Sequence, residues 1–186
     1  KYINQLLEIG FDTIDFGSFV SPYVIPQLKD TAEVLDGLNI ESSSSKLLAI
    51  IANKRGAEIA CSFSNIHYLG FPLSVSEKFQ KRNTNKSVND ALFLVEKVQD
   101  LSIQNNKELI VYISMAFGNP YSENFHPDMV AELVHKLNVF DINTIALADT
   151  IGVSNLSNIS LKNVDLSSIE HIKDCAKPES LWFQGF

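Results

Sequence analysis

The chain has 186 residues and a formal net charge of -7 at pH 7; 45% of the residues are hydrophobic and 20% are charged. This composition is typical of one globular domain and excludes a disordered chain. With 15 Lys and Arg residues against 22 Asp and Glu residues, the sequence disfavours a nucleic-acid partner. No apolar run is long enough to span a membrane. Two distant cysteines, Cys61 and Cys175, favour a reducing compartment, the cytoplasm or an organelle matrix, over secretion.

The spacing of apolar residues predicts about five strands that alternate with helices. The predicted strands cover residues 11–17, 46–53, 66–74, 108–118 and 143–149. The predicted helices cover residues 1–9, 22–38, 55–62, 87–106 and 126–140. Ser87, with Asp90 three residues later, is a predicted cap for the fourth of these helices. Residues 75–86 are expected to form a loop.

About five βα repeats with short connections predict a parallel sheet covered by helices. A (β/α)8 barrel and a doubly wound open sheet both fit this pattern. Because a barrel needs about 250 residues and eight strands, a barrel built from this chain would be partial. We expect a partial barrel over residues 1–160 and an irregular or helical tail over residues 161–186.

Four strand ends carry small, hydroxyl or carboxylate side chains, over residues 14–22, 69–87, 113–125 and 147–153. In parallel β/α folds chemistry lies at these carboxyl ends, although ordinary loops also need such residues. At the last strand end it matters most whether the polar residues are catalytic or only part of a loop. There the apolar run 145–148 stops at Asp149, and Gly152 follows. Asp149 is either a solvent-facing strand end or an acid that faces an active site.

Four segments, in this order and at these spacings, resemble the 3-hydroxy-3-methylglutaryl-CoA lyases, a family of DRE-TIM metallolyases. They are GFDTIDFGSFVSP…IPQLKDT, YLGFPLSVSEKFQKRNTNKS, YISMAFGNPY and LADTIGV. The resemblance covers residues 1 to about 160 and implies a TIM (β/α)8 barrel. It also implies an acyl-CoA substrate, cleavage to acetyl-CoA and acetoacetate, and a divalent metal, Mg²⁺ or Mn²⁺.

The resemblance also implies roles for particular residues. Asp149 matches the aspartate of the DTIG motif, an acidic group of the family's active site. Asp15 stands where the family usually has glutamate, and Ser18 lies beside it on the same strand end; both are candidate catalytic residues with Asp149. The candidate acyl-CoA contacts are Ser76, Asn83, Asn85, Lys81 and Arg82. For the two basic residues a solvated loop face is an equally good interpretation.

The family's Arg-Asp pair, its His-x-His metal motif and its cysteine-bearing glycine loop have no counterpart here. We therefore expect a sequence that is incomplete at both ends, no metal ligands within this chain, and no activity by the chain alone. Unpaired sheet edges would lead it to associate with itself or with the rest of a barrel. Rival interpretations are a non-catalytic truncated product that keeps an acyl-CoA surface, and another DRE-TIM aldolase or synthase.

Other conspicuous side chains are predicted to be structural. His67 is expected to be packed or hydrogen-bonded, His126 to lie at a helix start, and His135 and His171 to face solvent. Cys61 is expected to be a small buried residue rather than a nucleophile. Four phenylalanines are expected to lie in the core: Phe11, Phe16, Phe19 and Phe71.

Overall fold

The computed structural model describes residues 1–155, which form five strands and six α-helices. The strands are β1 (Thr13–Ser18), β2 (Lys46–Ile50), β3 (Ile66–Ser74), β4 (Glu108–Ser114) and β5 (Thr144–Leu147). The helices are α1 (Tyr2–Ile9), α2 (Thr31–Asp36), α3 (Lys54–Cys61), α4 (Glu77–Thr84), α5 (Val88–Gln104) and α6 (Pro127–Val139). The tail predicted over residues 161–186 lies outside the described residues.

The five strands form one sheet in the order β1-β2-β3-β4-β5. The pairing is parallel, with Ile14 opposite Leu47 at one side of the sheet and Val111 opposite Ile145 at the other. The helices that follow the strands provide the crossover connections that parallel pairing requires. The predicted parallel sheet of about five strands is therefore confirmed.

The chain forms two compact units, and the boundary between them passes through β3, α5 and β4. Unit 1 comprises residues 1–71 and 97–109. Its core contains Leu47, Leu48 and Ala49 of β2, all at most 2% exposed. Such a continuous apolar run is expected of a strand that is buried on both faces.

Unit 2 comprises residues 72–96 and, among the described residues, 110–155. Its core contains Val111 and Ile113 of β4, which are fully buried. Val134 and Leu137 of α6 are also buried, at helical spacing. The structure thus has β4 and α6 within the ranges predicted for them, residues 108–118 and 126–140.

The single helix predicted over residues 22–38 is wrong. Residues 22–30 are exposed and contain only a short 3-10 turn, Pro26–Leu28; α2 begins at Thr31. Pro26 has no N–H to donate, and the Thr31 hydroxyl donates to the carbonyl of Leu28 (2.8 Å), which ends the turn. The apolar residues before Thr31 imitate helical spacing but are not covered, since Tyr23 is 97% exposed.

The loop expected over residues 75–86 is also wrong, because it contains α4. In contrast, the predicted cap of α5 is present. The Ser87 hydroxyl accepts from the Asp90 N–H (3.0 Å) and donates to the Asp90 carboxylate (2.6 Å). The Phe11 side chain is 48% exposed rather than buried, whereas Phe16 and Phe71 lie in the core and Phe19 stacks on Phe63.

None of the helices within residues 1–155 is long and apolar enough to cross a membrane.

Candidate functional site

Strand β1, in unit 1, carries two of the candidate catalytic residues, Ser18 at its end and Asp15 three residues earlier. Ser18 is buried, and its hydroxyl donates to the carbonyl of Ile50 (3.2 Å) and accepts from the N–H of Val20 (3.3 Å). The Thr31 hydroxyl accepts from the Ser18 N–H (3.2 Å) and lies 2.9 Å from the Ser18 carbonyl oxygen. The side-chain hydroxyl and the backbone polar groups of Ser18 thus all help to hold the strand end.

Asp15 lies on the opposite face of β1 from Ile14 and Phe16, because successive residues of a strand alternate between faces. Those two neighbours are buried, while Asp15 is exposed. Its carboxylate is therefore accessible at the strand position that the sequence predicted.

In unit 2 the chain that leaves β3 is fastened to the end of β4. The Ser74 hydroxyl donates to the carbonyl of Ser114 (3.1 Å) and accepts from the N–H of Ser76 (3.0 Å). The Val75 N–H also donates to the Ser114 carbonyl (3.3 Å). These bonds place the start of α4 beside the carboxyl end of β4.

Two oxygens from different parts of the chain cap the first turn of α4. Ser76 is the N-cap, and its hydroxyl accepts from the N–H of Phe79 (3.1 Å). The Glu123 carboxylate accepts from the Lys78 N–H (3.1 Å) and from the Ser76 hydroxyl. Ser76, predicted to contact acyl-CoA, therefore has its single proton committed to Glu123, a residue that sequence reasoning missed although its loop was identified.

The other four predicted acyl-CoA contacts lie together at the far end of α4. Lys81, Arg82 and Asn83 are exposed in its last turns, and Asn85 ends the helix in the left-handed conformation (φ 57). The Arg82 guanidinium lies 5.0 Å from the centre of the Tyr121 ring. Together they form an exposed basic and amide surface, which we call the α4 surface.

Asp149, the third candidate catalytic residue, follows β5 and binds its own loop. Its carboxylate oxygens accept from the N–H groups of Val153 (2.9 Å) and Ser154 (2.9 Å). Burial raises the pKa of Asp149, but hydrogen bonds from the Ser154 side chain and from the backbone N–H groups of Ser154, Val153 and Gly152 outweigh this, so its pKa is lowered. Asp149 is thus ionised at neutral pH.

Thr150 joins the loop after β5 to the loop after β4. Its hydroxyl accepts from the N–H of Met115 (2.8 Å), and the Ala116 N–H donates to the Ala148 carbonyl (3.3 Å). Met115 is buried in a left-handed conformation (φ 59), which is uncommon for a residue with a side chain. These contacts fix the backbone on both sides of Asp149.

The described residues do not fit a metal centre. They contain no group of three or more His, Cys, Asp or Glu side chains that could hold an ion. The carboxylate of Asp149 already accepts two backbone N–H groups. For this reason no step of the chemistry below is derived through a metal.

The remaining histidines and Cys61 have structural surroundings. His67 is exposed, but its Nδ1 accepts from the Leu47 N–H (3.3 Å), and burial together with the charges of Lys107 and Lys46 lowers its pKa. His126 is the N-cap of α6, and His135 is exposed. Cys61 is half-buried, and burial raises the pKa of its thiol, which opposes formation of a nucleophilic thiolate. His171 and Cys175 lie outside the described residues.

A parallel β/α sheet with acids and hydroxyl groups at the carboxyl ends of its strands is the arrangement found in TIM-barrel enzymes. No model of a protein family matches the sequence. Hydroxymethylglutaryl-CoA lyase YngG of Bacillus subtilis is 32% identical over 158 residues, which are 85% of this chain and 52% of that protein. Other relatives include cytoplasmic and mitochondrial lyases of the same name.

Solved structures give the same result. A Bacillus subtilis HMG-CoA lyase superposes with a TM-score of 0.82 at 30% identity, over 95% of this chain and 56% of the other. An Acinetobacter baumannii HMG-CoA lyase, solved in complex with coenzyme A and 3-methylmalate, has a TM-score of 0.80 at 29% identity, over 90% and 54% of the two chains.

The chain is similar to hydroxymethylglutaryl-CoA lyases over most of its length, and its five-stranded sheet matches their TIM-barrel structures. It spans about half the length of the curated relatives that it matches.

Proposed function

We propose that the chain forms the acyl-CoA-binding part of a hydroxymethylglutaryl-CoA lyase, which cleaves 3-hydroxy-3-methylglutaryl-CoA to acetyl-CoA and acetoacetate. The observation that carries the proposal is the similarity of sequence and fold to lyases of this name over most of the chain. The coenzyme A bound by the Acinetobacter baumannii relative supports the choice of ligand.

The cleavage is a retro-aldol (Claisen) reaction. The tertiary hydroxyl loses its proton and becomes the ketone of acetoacetate as the neighbouring carbon–carbon bond breaks. The bonding electrons move to the acetyl-CoA carbon as an enolate, which then takes up a proton. A divalent metal, when bound by the complete enzyme, would polarise the substrate oxygens.

Within this scheme Asp149 is the acid that faces the substrate. Its carboxylate is ionised and is held in place by its own loop. It can therefore accept a hydrogen bond from the hydroxyl of the substrate without moving first. Asp15 is a second candidate acid, in the middle of β1. Ser18 holds that strand end through its backbone contacts rather than by contact with substrate.

The α4 surface is the proposed contact for the CoA moiety. Lys81 and Arg82 supply positive charge for its phosphates, and Asn83 and Asn85 supply donors and acceptors for its amide groups. The Ser76 hydroxyl acts indirectly, by starting the helix that carries these side chains.

We also propose that the protein works in a cytoplasm or an organelle matrix, as its cytoplasmic and mitochondrial relatives do. Fractionation of the source cells tests this: recovery of the protein in a secreted fraction would overturn it.

A test of the function measures acetoacetate and acetyl-CoA formed from hydroxymethylglutaryl-CoA and Mg²⁺, by the 186 residues alone and by the complete reading frame that contains them. We expect turnover by the complete protein and none by the chain alone, which offers no group of metal ligands among its described residues. Robust turnover by the chain alone would contradict the second expectation, and an inactive complete protein would overturn the function.

The rival interpretation is a non-catalytic product that keeps the acyl-CoA surface. Sequencing the transcript on both sides of these residues separates the two. An Arg-Asp strand upstream and a His-x-His strand downstream favour the enzyme.

Light scattering tests the expected association of the chain with itself, since β1 and β5 are the edge strands of the described sheet. A clean monomer would contradict this expectation.

A further inference from the structure

We propose that Glu123 is a positioning residue, which holds α4 in the orientation that acyl-CoA binding requires. This inference rests on the proposed function, because it assigns the α4 surface to acyl-CoA. It concerns the loop that follows β4, residues 118–125, which we call the β4 loop. Neither Glu123 nor the β4 loop has a place in the reaction scheme above.

Core packing holds α4 only weakly. Gln80 is the one buried side chain of the helix, and its amide donates to Thr84 within the same helix (2.7 Å). Most stability of a short helix normally comes from an apolar face packed on the protein. The position of α4 therefore depends strongly on what binds its ends.

The first turn of a helix has N–H groups without a partner inside the helix. In α4 the Phe79 N–H donates to the Ser76 hydroxyl, and the Lys78 N–H donates to Glu123. Ser76 in turn donates its proton to the same carboxylate. Glu123 thus binds both the helix backbone and its N-cap, and its negative charge is favourable at the positive end of the helix dipole.

The β4 loop is folded so that it presents this carboxylate. The Asn119 side chain accepts from the N–H groups of Tyr121 (3.0 Å) and Glu123 (3.2 Å) and donates to the Glu123 carbonyl (3.1 Å). Gly118 (φ 141) and Ser122 (φ 57) take positive φ values that tighten the loop. Glu123 is therefore offered to α4 in a fixed position.

Two further contacts join the loop to α4. The Lys78 ammonium donates to the Tyr121 carbonyl (3.0 Å), and the Arg82 guanidinium lies over the Tyr121 ring. Contacts at the first turn and near the last turn together determine both where α4 begins and which way its surface faces. Loss of Glu123 would move the whole α4 surface, so it should weaken acyl-CoA binding rather than slow the chemical step.

The experiment compares Glu123→Ala and Glu123→Gln with the unaltered complete protein. Glu132→Ala is the matched control, because Glu132 is an exposed acid of α6 in the same unit. Three quantities are measured: the Kd of coenzyme A by calorimetry, KM and kcat for hydroxymethylglutaryl-CoA, and hydrogen exchange of the α4 amides. Circular dichroism shows whether each variant is folded.

We expect Glu123→Ala to raise Kd and KM about tenfold, leave kcat within about twofold, and speed exchange of the Lys78 and Phe79 amides about tenfold. Glu123→Gln should retain part of the affinity, because its amide oxygen still accepts from the Lys78 N–H, and Glu132→Ala should match the unaltered protein. Unchanged Kd and exchange in a folded Glu123→Ala would overturn the positioning role alone. A complete protein that binds no coenzyme A would overturn the proposed function, and with it this inference.

Discussion

The first turns of α4 and α5 both have N–H groups that need a hydrogen-bond acceptor from outside the helix, and the two helices obtain it from different places. At α5 the cap is local, since Ser87 bonds the N–H and the carboxylate of Asp90 three residues later. At α4 the Ser76 cap is completed by Glu123, 47 residues away along the chain. The local cap was predicted from sequence together with its helix, whereas α4 was expected to be a loop.

The difference shows what a short helix depends on. α5 has 17 residues and buries an apolar stripe that includes Ala91, Val95 and Val98, so it has a tertiary reason to form beyond its cap. α4 has eight residues with a single buried side chain. A helix of that kind forms where another segment supplies the missing hydrogen-bond acceptor.

The largest expected effect comes from removing the α4 cap. Ser76→Ala deletes a buried hydroxyl that accepts from Phe79 and donates to Glu123, and leaves both partners without it. We expect a loss of about 2–3 kcal/mol in the free energy of unfolding, because a buried bond to a charged group is lost with a cap. Urea denaturation of the complete protein measures it. A loss below about 0.5 kcal/mol would mean that the tertiary cap contributes no more than an exposed one.

A double-mutant cycle separates the tertiary bond from the cap. Comparison of Ser76→Ala, Glu123→Ala and the double variant should give a coupling free energy of about 1–2 kcal/mol, since the two groups share a hydrogen bond. Ser76 with Glu132 is the reference pair and should be additive within about 0.5 kcal/mol. If the losses of the two single variants simply add up in the double variant, the hydrogen bond between Ser76 and Glu123 would be contradicted.

Removal of the local cap of α5 should reduce the free energy of unfolding less than removal of the α4 cap does. Ser87→Ala removes a half-exposed hydroxyl, and the first N–H of α5 keeps its bond to Glu77. We expect a loss of about 1 kcal/mol, the usual cost of a missing serine cap. The same urea experiment measures it, with Ser87→Asp as a control that restores an acceptor; a loss equal to that of Ser76→Ala would abolish the contrast between the two helices.

The smallest effect is a dependence on pH. The side-chain bond from Ser87, and next its backbone bond, lower the pKa of Asp90. A carboxyl whose folded pKa lies below its unfolded value stabilises the protein above the unfolded pKa, near 3.9, and loses that contribution as pH falls through the folded pKa. The melting temperature of the unaltered protein should therefore fall more than that of Asp90→Asn below about pH 4. Parallel curves for the two proteins would rule out this linkage.

The strand ends show how far a motif predicts a site. The DTIG segment was expected to carry an acid, and the structure adds that Asp149 is held by N–H groups of its own loop. That self-binding depends on the turn after β5 and on Thr150, which accepts from Met115 on another strand end. Glu123 carries no such motif, and its importance follows from its position beside α4.

The strands were easier to predict from the sequence than the segments that connect them. β3 was predicted to the residue, and the other strands within a few residues of their ends, because apolar runs between polar loops reflect burial in a parallel sheet. The helix expected over residues 22–38 failed where apolar spacing occurs without a surface to cover it. Tyr23 and Val24 follow that spacing and remain exposed.

The sequence by itself determined the order of the strands and of the helices other than α4, the parallel sheet, the cap of α5 and the likeness to the lyases. Each of these depends on neighbouring residues or on motifs that can be compared position by position. Only the tertiary structure decided that α4 is a helix and that Glu123 completes its start. A hydrogen bond between residues 47 positions apart leaves no periodic trace in a sequence, because it exists only once both loops have folded.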